Sequence, residues 1–178
     1  MDRARRLIGV GCWVVAFGLM QTANSQHPSP ITHHPSPATF HLRKVHDSLY
    51  WLNDWRLPYP VYRFQTGDID GDGREDAIVG VVKSTRFYPE KGRRLFIFKL
   101  VESEKKTMVV RPLWLGSRLG GRLQDFRYIA DGYLRCLEST DNGRWVVAEY
   151  RWGRFGMTFD HYLVKGTDKK TALKHFNQ

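Results

Sequence analysis

Between residues 59 and 164 every apolar run ends within about ten residues, at a glycine, an Asp-Gly or Asn-Gly pair, or a cluster of charges. Eight runs result: YPVYRFQT, DAIVGVVK, RRLFIFKLV, KTMVVRPLWL, RLQDFRYIA, GYLRCLES, RWVVAEYRW and FGMTFDHYLV. β-Branched and aromatic residues fill them, and none is long enough for a buried helix. The expected fold is therefore mainly β, as antiparallel meanders in two four-stranded, blade-like units. A sandwich, an open barrel or a partial propeller would each satisfy the pattern.

The second set of four can be tested against itself, because short turns fix strand register. Two-residue loops at Asp131-Gly132, Asn142-Gly143 and Gly153-Arg154 place Phe126 opposite Leu137, Leu137 opposite Ala148, and Tyr150 opposite Met157. One face then collects Phe126, Tyr128, Leu137, Val146, Ala148, Tyr150, Trp152, Met157, Phe159 and Leu163, with His161 as a core histidine. The other face holds Asp125, Arg127, Glu138, Glu149, Arg151 and Asp160 and reads as solvated. In the first set, AIVGVV and LFIFKLV are apolar at both parities, so those strands should be covered on both faces.

Outside these runs the chain is less regular. Residues 1–25 carry basic side chains, an apolar stretch from Leu7 to Met20, and small residues at Ala23 and Ser25, the layout of a secretory signal peptide cleaved after Ser25. The apolar stretch falls short of the roughly 20 residues that span a bilayer, so no transmembrane span is expected in the mature chain. Residues 26–40 are rich in proline and histidine and read as an extended linker. His27, His33 and His34 lie there without partner ligands at a metal-binding spacing. Residues 41–166 form the expected β-domain, with a leading helix over 45–56 marked by Val45, Leu49, Leu52 and Trp55. Residues 167–178 read as a basic flexible tail.

Removal of residues 1–25 leaves 25 basic and 17 acidic side chains, a formal charge of +8, and Cys136 as the one cysteine. An internal disulfide is excluded, and a buried thiol is the simplest state for Cys136. Export to the periplasm or the outside argues against nucleic acid as partner. An acidic glycan or another envelope component suits the charge better.

The stretch GDIDGDGRED, residues 67–76, packs five carboxylates into ten positions. Counting from Asp68, carboxylates stand at positions one, three, five and nine as Asp68, Asp70, Asp72 and Asp76, with Gly73 at six and Arg74 at seven. Hard oxygen ligands at alternate positions, a glycine for the sharp turn and a free backbone carbonyl after it describe a Ca2+ loop. Position twelve is Val79 where a helix-loop-helix calcium hand needs glutamate, and a strand follows instead of a helix.

TGDIDGDGREDAIVGV resembles the FG-GAP or VCBS type of repeat found in integrin α-chain propellers and in many secreted bacterial proteins. The resemblance spans about 16 residues and a single repeat. It implies a calcium loop between two strands, with Asp68, Asp70, Asp72, the carbonyl of Arg74 and Asp76 as ligands.

Weaker features have ordinary explanations. The glycines of WLGSRLGGRLQDF with Arg118 and Arg122 suit an anion, but a connector between the two halves accounts for them. Arg86, Phe87 and Tyr88 suit a glycan, or simply a hairpin end. Glu149 and Asp160 share a face as the acids of a glycoside hydrolase would, and cross-strand ion pairs with arginine explain them equally. No nucleophile or His-containing triad stands out. The expected function is an exported, calcium-binding binding or structural module. A secreted carbohydrate-active hydrolase and a blade-like subunit that completes a larger assembly, the latter an oligomer, are the alternatives.

Overall fold

The computed structural model describes residues 39–86, 89–116 and 119–178. The expected signal peptide, almost all of the linker, and Phe87, Tyr88 and Arg118 lie outside them. Eleven strands and one helix follow in order: β1 (Leu42–His46), β2 (Leu49–Leu52), β3 (Trp55–Leu57), β4 (Val61–Gly67), β5 (Asp76–Lys83), β6 (Gly92–Glu102), β7 (Met108–Trp114), β8 (Arg122–Tyr128), β9 (Tyr133–Ser139), β10 (Trp145–Gly153), β11 (Gly156–Thr167) and α1 (Lys169–Asn177). They form three antiparallel sheets, β1-β2-β3, β4-β5-β6-β7 and β11-β10-β9-β8. The eight expected runs are the two four-stranded meanders, packed as layers and not closed into a barrel.

The double-sided apolar strands sit at the centre. Ile78, Leu95 and Ile97 of the first meander pack against Phe126, Leu134, Cys136, Val146, Ala148 and Tyr150 of the second. On the opposite face, Val79, Val81, Phe96 and Phe98 pack against Leu52, Leu57 and Trp55 of the small sheet. Side chains alternate across a strand, so residues one apart serve different interfaces. Gly80 is the thin point of this centre. A Cβ there would lie 2.5 Å from the Tyr62 ring and 2.8 Å from Phe126, so both rings rest directly on the strand backbone.

Two expectations about the ends are overturned. Residues 45–56 are not a helix but most of a three-stranded sheet, with two-residue turns at Asp47-Ser48 and Asn53-Asp54. Asn53 adopts φ 50°, its Oδ1 accepts from His41 N–H at 2.6 Å, and its amide donates to the Thr39 carbonyl at 3.1 Å. Left-handed backbone at a turn asparagine outweighs a helical spacing that short strands mimic. Residues 169–177 are not a frayed tail but α1, capped by Asp168, whose Oδ1 accepts from Thr171 N–H at 3.0 Å. Ala172 and Phe176, one turn apart, are buried against Leu137 and Val147 on the outer face of the second meander. Among the described residues no helix is long and apolar enough to cross a membrane.

The register of the second meander also differs, for identifiable reasons. Asp131-Gly132 forms the expected turn, yet Ile129 N–H and the Ala130 carbonyl both bond to Tyr133, so two residues face one. This bulge slips the pairing by one, to Phe126 opposite Cys136 and Tyr128 opposite Leu134. The next loop holds three residues, Asp141 to Gly143, ending in Gly143 at φ 75°, which places Leu137 opposite Val147. Leu134 and Cys136 therefore enter the core, and Leu137 passes outward beneath α1. The last turn is Arg154-Phe155, a slip of two, so Tyr150, Trp152, Met157 and Phe159 keep their shared face. Leu163 and His161 do not: Leu163 packs beneath α1, and His161 is exposed beside Asp160 and Glu149.

Candidate metal centre

The acidic stretch connects β4 to β5, and its shape follows from its own side chains. Asp68 folds the loop around itself, its Oδ1 accepting from Gly71 N–H at 2.8 Å and Asp72 N–H at 3.1 Å, and its Oδ2 from Gly73 N–H at 2.9 Å. Gly71 and Gly73 take φ of 75° and 80°, which an L side chain adopts at a cost. Asp72 Oδ1 accepts from Arg74 N–H at 3.0 Å. Asp76, the first residue of β5, is 1% exposed, and its Oδ2 accepts from Ile69 N–H at 3.0 Å and Asp70 N–H at 3.4 Å.

The loop brings three of its carboxylates together. One oxygen from each of Asp68, Asp70 and Asp76 lies within 4.8 Å of the others. Calcium binds oxygen at about 2.3 to 2.6 Å, so oxygens across one ion stand up to about 5 Å apart, and this spread fits. Asp76 Oδ1 is buried and has no hydrogen-bond partner, an orphan acceptor that a cation would satisfy. Burial pushes the Asp76 carboxyl up to about 6, with the Asp70 charge adding to the effect and the Ile69 N–H opposing it. Asp72 stands outside this trio, and Arg74 is exposed.

Sequence reasoning missed Lys99. Its Nζ lies 2.5 Å from Asp70 Oδ2 and 2.9 Å from Asp72 Oδ2. Lys99 is on β6, one step beyond the Ala77 and Phe98 pair, which brings it level with Asp76. The bond to Asp70 leads in raising the Lys99 ammonium, and the bond to Lys99 leads in lowering Asp72. A lone lysine inside the apolar run LFIFKLV was the available signal. Lys99 and Arg74 against five carboxylates leave the loop acidic, so Lys99 offsets the repulsion without removing the demand for a cation.

The second meander closes over the loop. Tyr128 Oη donates to the Asp68 carbonyl at 3.3 Å, Tyr128 N–H donates to Gln65 Oε1 at 2.9 Å, and Gly132 sits so close that a Cβ would lie 3.0 Å from the Ile69 carbonyl.

Glu149 and Asp160 are engaged elsewhere. Glu149 Oε1 pairs with Arg135 at 2.8 Å, and Asp160 Oδ1 with Arg151 at 3.2 Å. Arg135 in turn donates to the His175 carbonyl at 3.3 Å, and Arg127 to the Phe176 carbonyl at 3.2 Å, so cations of the outer sheet face meet the C-terminal carbonyls of α1. The carboxylate face is thus partly roofed by the helix, and the ion-pair reading accounts for Glu149. Glu138 leaves that face altogether. It is 2% exposed in the core, accepting from Tyr150 Oη at 2.6 Å and from Gly121 N–H. Tyr150 Oη accepts from Gly120 N–H at 3.0 Å, so the glycine connector is fastened to the second sheet through its backbone. No family model matches this chain, and no curated protein or solved structure matches it.

Proposed function

We propose that the chain is an exported β-domain with an FG-GAP-type calcium loop, serving as a binding or structural module at the cell envelope or outside it. The observation that carries the calcium reading is the buried, partnerless Oδ1 of Asp76 beside the carboxylates of Asp68 and Asp70. The cation stabilises the turn between β4 and β5 and takes no part in a reaction. Extracellular calcium is abundant enough to fill a weak site, with Kd on the order of 0.1 to 1 mM. The test is a thermal melt in EDTA and in calcium. Calcium should raise the melting temperature, and Asp70→Ala should abolish the difference. Identical melts, with no binding heat in a calcium titration, would remove the metal from this reading.

A second reading, a subunit of a larger blade-like assembly, is favoured by the edge strand β11. Phe159 and Tyr162 are 44% and 45% exposed there, with ring centroids 4.6 Å apart. Sedimentation at rising concentration tests it, and a monomer throughout would count against self-assembly.

A further inference from the structure

The small sheet carries a charged row that neither the core nor the metal loop accounts for. Arg43 on β1 stands opposite Trp51 on β2, and Trp51 stands opposite Arg56 on β3. Directly opposed residues share a face, about 5 Å apart. The neighbouring row of Leu42, Leu52 and Trp55 packs inward against the first meander, so Arg43, Trp51 and Arg56 face outward. Both arginines are exposed, and Trp51 lies half-buried between them.

Nothing nearby neutralises this row. Among the described residues neither guanidinium has a hydrogen bond or ion pair, and the local carboxylates are committed elsewhere. Asp47 pairs with Lys44 at 2.6 Å, and Asp54 Oδ1 accepts from Val110 N–H at 2.9 Å. No acidic side chain occurs between Asp2 and Asp47, so the segment that leads into the sheet cannot supply the missing charge. The row is therefore an unpaired positive strip open to an external anion.

We propose that this row is a docking site for a linear acidic glycan. Carboxylate or sulfate groups meet the two guanidinium forks, and a sugar ring stacks on the indole between them. Arginine matches planar oxyanions in two-point contacts, and two of them about 10 Å apart across three strands suit a chain with repeated charges. A lipid surface fits less well. It asks for protruding apolar side chains, and Val45, 48% exposed, is the one large hydrophobic of the small sheet that protrudes. The row shares no residue with 67–76, so it stands or falls separately from the calcium reading.

Calorimetric titration of the full chain with polygalacturonate, with neutral dextran and with phosphatidylglycerol vesicles tests the proposal. Polygalacturonate should bind and dextran should not. The double variant Arg43→Gln/Arg56→Gln should weaken binding at least about tenfold, since each lost charge-assisted contact is worth about that much. Lys105→Gln/Lys106→Gln removes the same charge from an exposed turn and should change affinity less than about twofold. Trp51→Ala, with folding confirmed by its melt, should weaken binding severalfold in a manner that added salt does not erase. Absence of polygalacturonate binding, equal losses in the two double variants, or tighter binding to the vesicles that is lost in Arg43→Gln/Arg56→Gln would each overturn it.

Discussion

The ammonium of Lys99 and the carboxylate of Asp70 form a 2.5 Å ion pair between residues 29 positions apart in sequence, joining the middle of β6 to the acidic loop. Both side chains are largely shielded, at 26% and 12% exposure, so solvent screens the pair only in part. Lys99 acts as a built-in counter-ion. Replacing it with methionine leaves the aspartates to repel one another, and the melting temperature in EDTA should fall by about 3 °C, corresponding to about 1 kcal/mol. Calcium should recover the loss and bind more tightly than to the parent protein. Equal melts for parent and Lys99→Met in EDTA would show that the ammonium does not hold the loop.

Asp76 separates the loop's two requirements, hydrogen bonding and charge. Asp76→Asn keeps an oxygen for the Ile69 and Asp70 N–H groups and removes a buried negative charge. Stability in EDTA should therefore be unchanged or higher, while the calcium response disappears. Asp76→Ala also strips the acceptor from two loop N–H groups and should cost about 1 to 3 kcal/mol in EDTA. A calcium response that survives in Asp76→Asn would remove Asp76 from the ligand set.

Glu138 predicts a pH dependence away from the loop. Burial raises its carboxyl above the ordinary value, against the opposing pull of the Tyr150 hydroxyl and the Gly121 N–H. A carboxyl raised in the folded state favours folding most when protonated. Its contribution is thus full below the unfolded value, about 4.3, and declines as pH rises from there to the folded value. Glu138→Gln cannot ionise, so the unfolding free energy of the parent minus that of the variant should fall as pH rises from 4 to 7. Denaturant titrations at several pH values measure it, and a constant difference would refute the assignment.

The last helix should behave as part of the core. Phe176 is 4% exposed against Leu137 and Val147, and Phe176→Ala should destabilise the domain by about 3 kcal/mol. Asp168→Ala, which removes the cap, should speed tryptic cleavage at Lys169, Lys170 and Lys174. Wild-type resistance in both variants would mean that α1 contributes nothing to the second sheet.

The meanders were legible because turn glycines and alternation act locally. Asp131-Gly132 and the loop ending at Gly143 declared the hairpins, and the double-sided apolarity of AIVGVV and LFIFKLV announced the central layer. Registers were not legible, because a bulge at Ile129 and Ala130 adds a residue that no sequence pattern marks. Val45, Leu49, Leu52 and Trp55 fit a helix, and the competing signal was the pair of polar turns at Asp47-Ser48 and Asn53-Asp54. For α1 the signal existed in Asp168 and in the spacing of Ala172 and Phe176, but positive charge masked it. At the candidate site, Asp68, Asp70 and Asp76 are adjacent enough in sequence to be grouped by eye. Lys99 and Tyr128 reach them only through tertiary pairing.

Tyr128 and Gly132 belong to the second meander, yet they rest on the main-chain oxygens of Asp68 and Ile69. The acidic stretch is therefore not a portable cassette. Grafted into another hairpin, its ten residues would keep their side-chain carboxylates and their internal turns but lose the roof that fixes the backbone at Asp68 and Ile69. What this protein owns is a seam between two sheets, and the loop is one half of it.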